Sequence, residues 1–245
     1  TPQLLALRCY LQSQAGQKDA AIQTLKQLCL RVDWQDLGIV GGLSRHLKRA
    51  VDPAMIMRIG PALRQPDIPV EKAGKLLCKL LELLDSPETR LATARQIRSA
   101  WEGTAAELSI LEVMARAATE KGDPDAARRY HTAMLIAAPR NPLTYSWMAS
   151  YLLNSDGDVY RAREYAEKAV EMAAESPAAV RAECLDTLAQ VQHKLGLNHP
   201  ARLNYIDSIR LDDRVETRLH YAQLLIDEWQ VRNARAELER ASLIA

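Results

Sequence analysis

Histidine and cysteine are the side chains best suited to hold a metal or attack an electrophile, and this chain has five of one and four of the other. Their spacing supports neither chemistry. A helical metal site needs two histidines four residues apart on one face, with an acid beside them for zinc-protease work. His46, His131, His193, His199 and His220 include no such pair, and His193 can meet His199 only across a turn. Cys9, Cys29, Cys78 and Cys184 show no CxxC spacing. All four fall on apolar helical faces, where cysteine behaves as a small hydrophobe, and unpaired thiols fit a reducing compartment. The run Gly38-Ile39-Val40-Gly41-Gly42 has the glycines of a phosphate loop, but no strand precedes it. Adjacent carboxylates at Asp212 and Asp213 lie between two helices and read as helix-end chemistry, not an acid–base pair. The densest basic spot is Arg45, His46, Lys48 and Arg49, either a phosphate or acidic-partner site or a solvated helix face. No catalytic residue, metal or cofactor is expected, and the chain does not read as an enzyme.

The elements that carry these residues repeat. Gly122, Ala127 and Met134 are matched by Gly157, Ala162 and Ala169 and by Gly196, Ala201 and Ser208. A fourth copy has Ala234 and Ala241, with Trp229 in the place of the glycine. The four turn positions stand at intervals of 35, 39 and 33 residues, and periods of roughly 20–50 residues mark solenoids. The glycine ends one helix by adopting a left-handed conformation without a Cβ clash. Pro124 and Pro200 sit in the first turn of the next, where a missing N–H costs nothing. The alanine five residues on lets two antiparallel helices approach closely. Pro139 and Pro177 are the expected stops of two second helices.

These residues resemble the tetratricopeptide repeat, a helix–turn–helix unit of 34 residues. Leu111, Met114, Ala115 and Ala118 stand where that family places its first-helix core. Gly122, Ala127, His131, Met134 and Pro139 stand at its turn, second helix and exit. Leu185, Leu188, Ala189, Gly196, Ala201, Tyr205 and Ser208 repeat the match, as do Tyr221, Ala222, Leu225, Ala234, Leu238 and Ala241. The copy around Trp147 is one residue too long before Gly157, so a bulge or looser turn is expected there. The resemblance implies an all-α fold, a right-handed superhelical solenoid of antiparallel helix pairs. Four repeats are expected in residues 106–245, at about 108–141, 143–177, 182–213 and 215–245. A further helix pair is expected in 1–32, on Leu5, Gly16, Ala21, Leu25 and Leu28.

Residues 33–105 read as degenerate helical repeats, either drifted units of one continuous superhelix or an insert joining two blocks. Asp33–Lys48 is an expected helix. Asp52 is an expected N-cap with Pro53 behind it, and Ser86 another with Pro87. Arg64 to Pro69 reads as a loop. Leu76, Leu77, Leu80, Leu81 and Leu84 form an apolar stripe at helical spacing. A helix from Pro87 to about Trp101 follows, closed by Gly103.

Composition agrees with a folded helical chain: 48% hydrophobic, 26% charged and no Phe among 245 residues. Residues 1–105 hold 15 Lys+Arg against 10 Asp+Glu, and the remainder 17 against 21. No aromatic-interleaved basic stripe points to nucleic acid. No apolar run reaches the ~18–20 residues of a bilayer span, and no secretory signal opens the sequence. The chain begins at Thr1 without methionine and stops within an expected helix, so a piece of a longer protein is expected.

Tetratricopeptide ligands usually lie in the groove lined by the first helix of each repeat. Carried onto this sequence, the resemblance places Glu112, Arg116, Glu183, Asp186, Gln190, His193, Glu216, Leu219 and Gln223 in that groove. Chaperone-binding members use lysine, asparagine and arginine there to hold a C-terminal carboxylate. Glu112 and Asp186 replace the lysine type, which argues for a basic peptide segment or a cationic polymer instead, or for a merely solubilising acidic face. The runs Leu185-Asp186-Thr187-Leu188-Ala189 and Arg218-Leu219-His220-Tyr221-Ala222 resemble repeats of large bacterial envelope proteins. Those proteins help export or assemble exopolysaccharide, as in biofilms. The expected function is a non-catalytic interaction scaffold in the periplasm. The alternative is a cytoplasmic accessory or regulatory region of an enzyme or signalling protein.

Overall fold

The computed structural model describes residues 2–31, 49–64, 69–156 and 158–244. The expected Asp33–Lys48 helix, the Gly38–Gly42 run, Arg45, His46, Lys48 and Gly157 lie outside the described residues. Among the described residues there are thirteen α-helices and no strand. They fall into two compact units, Thr1–Ala137 and Ala138–Ala245.

The first unit contains α1 (Pro2–Gln14), α2 (Lys18–Arg31), α3 (Pro53–Ala62), α4 (Val70–Glu82), α5 (Pro87–Arg98), α6 (Ala105–Glu120) and α7 (Pro124–Ala137). Successive helices pack as neighbours, α1 on α2 and α6 on α7, and α4 also reaches α6. The caps are the ones the sequence announces. Asp52 accepts from the Met55 N–H at 2.7 Å ahead of α3, and Ser86 accepts from the Thr89 N–H at 3.1 Å ahead of α5. Each such cap is worth about 1 kcal/mol relative to alanine. The leucine stripe of α4 is the core: Leu76, Leu77, Leu80 and Leu81 are all buried. A Cβ added at Gly74 would stand 2.8 Å from the Cα of Ala106, so here α4 and α6 touch backbone to backbone. One boundary differs from expectation. Helix α5 stops at Arg98, three residues before Trp101, and residues 99–104 form turns that bury the Trp101 ring.

The second unit contains α8 (Pro142–Tyr151), α9 (Val159–Met172), α10 (Ala178–Lys194), α11 (Asn198–Leu211), α12 (Val215–Asp227) and α13 (Val231–Ile244). Here α8 packs on α9, α10 on α11 and α12 on α13, while α8, α10 and α12 also touch in series. That is the contact pattern of a helical solenoid. The small residues singled out by spacing are its packing points: Ala162, Ala169, Ala201 and Ser208 are completely buried, and Ala234 and Ala241 nearly so.

The turns explain the glycines. Gly196 has φ +75°, with its own N–H on the His193 carbonyl and the Leu197 N–H on the Gln192 carbonyl. This is the hydrogen-bonded left-handed helix end that glycine tolerates best. Trp229 holds the same conformation, φ +61°, with the Gln230 N–H on the Leu225 carbonyl at 2.7 Å. Its indole is 89% exposed, so no packing offsets the steric cost of a left-handed L-residue.

The long spacing in the Trp147 copy has a physical form. Leu152–Asp156 winds as a π-helix, which takes up an extra residue per turn. Pro200 is the third residue of α11, in the first turn as expected, whose N–H groups need no helical partner. Pro177 does not end α9, which stops at Met172; it precedes α10 and fixes the entry of that helix. No helix of the described residues is long and apolar enough to cross a membrane.

Candidate functional site

The polar residues expected to share a groove divide between the units. Glu112 and Arg116 lie on α6 in the first, and the other six on α10 and α12 in the second. On α6, Arg116 donates to Glu112 Oε1 at 2.9 Å and to Glu82 Oε1 of α4 at 3.0 Å. This guanidinium therefore already has two carboxylates to satisfy it.

In the second unit α10 and α12 are bridged by two histidine–aspartate pairs. His220 of α12 donates from Nδ1 to Asp186 of α10, 3.1 Å and 3.2 Å from its two oxygens. In the opposite sense, His193 of α10 donates from Nε2 to Asp227 Oδ2 of α12 at 3.0 Å. The carboxylates can only accept, so His220 Nδ1 and His193 Nε2 each carry a proton. Each carboxylate also takes an amide from its own helix: Gln190 Nε2 to Asp186 at 3.2 Å, and Gln223 Nε2 to Asp227 at 2.8 Å. Both amide donors sit four residues from their carboxylate, one turn away on the same face.

These groups, Asp186 excepted, line a cleft of about 380 Å³. Gln190, His193 and Lys194 come from α10, and His220, Gln223 and Asp227 from α12. Tyr205 of α11 and Leu153 and Asn154 of the π-turn complete it. Tyr205 is buried and packs its ring 5.9 Å from that of Tyr221. Burial, with the nearby Asp186 charge adding to it, pushes its phenol well above the usual range, so it stays a neutral hydroxyl. Lys194 is exposed and has no ion-pair partner among the described residues.

The remaining expected residues sit elsewhere. Glu183 is half-buried, accepting from Trp147 Nε1 at 2.9 Å with Arg214 Nη1 at 3.5 Å. Glu216 is exposed near the start of α12 and, like Leu219, does not line the cleft. Asp186 is only 6% exposed, so its charge is spent inside the protein. Asp213 serves a fold role, chelating Arg218 at 2.6 and 2.7 Å while that guanidinium also pairs with Glu237 of α13.

His220, Asp227, Lys194, Tyr205, Leu153 and Asn154 belong to the cleft without having been expected there. A signal was available: both histidine–aspartate pairs span 34 residues, close to the repeat length, which brings the partners onto adjacent first helices. Among the described residues no group of three His, Cys, Asp or Glu is arranged to hold a metal ion. Cys184 is fully buried; burial first, with Glu183 adding, raises its thiol to about 12. It is therefore inert at neutral pH.

No family model matches the sequence, and no curated protein matches it. Solved structures do match. NprR in complex with its cognate peptide NprX is 16% identical, with a TM-score of 0.58, and the match covers 98% of this chain and 66% of that one. BtubC (BKLC) from P. vanneervenii is 12% identical, with a TM-score of 0.55, covering 86% of this chain and 89% of that one. YrrB, described as a TPR protein with an unusual peptide-binding site, is 14% identical with a TM-score of 0.45, covering 78% and 92%. At these identities the likeness is one of fold. The chain has the tetratricopeptide-type helical solenoid fold.

Proposed function

We propose that this chain is a non-catalytic interaction scaffold whose second unit holds an extended peptide segment in the cleft between α10 and α12. The observation that carries the reading is the pair Gln190 and Gln223, equivalent residues of successive repeats lining one cleft. Each amide commits one N–H to a carboxylate and keeps a second N–H and its carbonyl oxygen. That remainder is the hydrogen-bonding complement of a peptide unit. Neighbouring helices pack roughly 8–10 Å apart and an extended chain rises about 3.3 Å per residue. The two amides therefore suit peptide units about three residues apart. The peptide bound by NprR, on the same fold, supports this use of the solenoid.

The test is binding of a mixture of random nonapeptides to the purified chain, read by mass spectrometry of the co-eluting fraction. We expect enrichment of peptides that the double substitution Gln190→Ala, Gln223→Ala removes while the melting temperature stays put. Enrichment unaffected by both substitutions would refute the groove.

For the wider setting, the resemblance of the 185–189 and 218–222 runs to envelope-protein repeats supports a bacterial protein of exopolysaccharide export, acting in the periplasm. The free thiols Cys9, Cys78 and Cys184 favour the cytoplasmic accessory reading instead. A preceding export signal and a following β-barrel in the parent sequence would decide for the first, and an enzyme or DNA-binding domain for the second.

A further inference from the structure

The cleft in the second unit has a polarity that a count of its charges does not convey. Each imidazole gives one N–H to an aspartate, His220 from Nδ1 and His193 from Nε2, and the other ring nitrogens have no partner among the described residues. The two glutamine carbonyl oxygens are open acceptors. Of the two carboxylates, Asp186 is closed off, but the Asp227 side chain is 49% exposed and retains lone pairs beyond the two its neighbours use. The carboxylate and the ammonium that line the cleft are those of Asp227 and Lys194, with Asp186 buried beside them.

Resting on the peptide reading above, we propose that this cleft selects a basic side chain of the bound segment, its guanidinium or ammonium seated on Asp227. A guanidinium brings five N–H donors in a fixed fork and no acceptor, which matches the open carboxylate of Asp227 and the carbonyl oxygens of Gln190 and Gln223. Lys194 then opposes the ligand and limits its affinity. An acidic side chain would face the like charge of Asp227.

The experiment uses the whole chain and three fluorescein-labelled Ser/Gly nonapeptides carrying arginine, citrulline or glutamate at the centre, read by anisotropy at low salt. Citrulline keeps the shape of arginine and removes the charge. Charge-assisted hydrogen bonds make the arginine peptide about tenfold tighter than the citrulline peptide. Asp227→Asn, nearly isosteric, erases that ratio, and Lys194→Gln tightens the arginine peptide severalfold. Circular dichroism melts check that both variants fold, and Lys194→Gln, on an exposed side chain, keeps the test decisive if Asp227→Asn does not. A glutamate peptide that binds best, or a Lys194→Gln variant that weakens arginine binding, overturns the proposal. If arginine and citrulline peptides bind equally and both depend on Gln190 and Gln223, the peptide groove stands and the cation site falls. If none of the three binds, both readings fall.

Discussion

The helices of residues 53–98 and those of residues 178–244 solve one packing problem with side chains of opposite size. The first set is filled by bulk: Met55, Ile56, Ile59, Leu63, Leu77 and Leu81 are each no more than 2% exposed. The second is closed by small residues: Ala182, Ala189, Ala201, Ala222, Ala234 and Ala241 are no more than 3% exposed. Where backbones approach closely, one position per repeat must be small, and that requirement prints a period on the sequence. Where large aliphatics fill the space between helices, many combinations of similar volume serve, and the period blurs. The fading of the repeat signal before residue 105 therefore reflects a change in how the helices are packed.

Substitutions that exchange bulk for smallness, or the reverse, should be costly, and the largest loss is expected where bulk is removed. Leu77→Ala, at a side chain with no exposure, should cost about 2–5 kcal/mol, read from a denaturant midpoint. The mirror experiment is Ala201→Trp, which forces a large ring among Ala189, Tyr205 and Leu224. It should cost about 1–3 kcal/mol or more, and an unchanged melt would break the comparison.

Acid sharpens it from another side. Burial lowers the pKa of His131 on α7 from 6.5 to about 4. The folded state thus holds this ring neutral while the unfolded chain protonates it. Unfolding takes up a proton between those values, so stability is complete above 6.5 and falls as pH drops toward 4. The loss reaches about 2 kcal/mol near pH 5, and His131→Gln should flatten that slope in a pH series of melts. The smallest change expected is a gain. Trp229→Gly relieves a left-handed residue whose ring packs on nothing, and should add about 1 kcal/mol, seen as a higher melting temperature.

Much of the architecture is legible in the sequence because its causes are local. Asp52 before Pro53, Ser86 before Pro87 and the turn glycines Gly16, Gly122 and Gly196 specify backbone conformations by their own chemistry. Trp229 in a glycine position is recognisable from spacing alone. The end of α5 is not, because Trp101 prolongs an apolar pattern that the chain in fact uses in a turn. The candidate site is only half legible. Gln190, His193 and Gln223 are found by repeat position, whereas His220 and Asp227 are not.

Residue order was enough to establish a row of helix pairs, the places where each pair turns, and the small residues that sit between them. Those are consequences of backbone conformation and of side-chain size at short range. Which carboxylates retain an open charge was settled by the folded arrangement alone. Asp186 and Asp227 draw one partner each from a helix 34 residues away, and burial hides the first while leaving the second open. Hydrogen bonding across neighbouring helices, together with solvent exposure, leaves one of these two carboxylates accessible in the cleft.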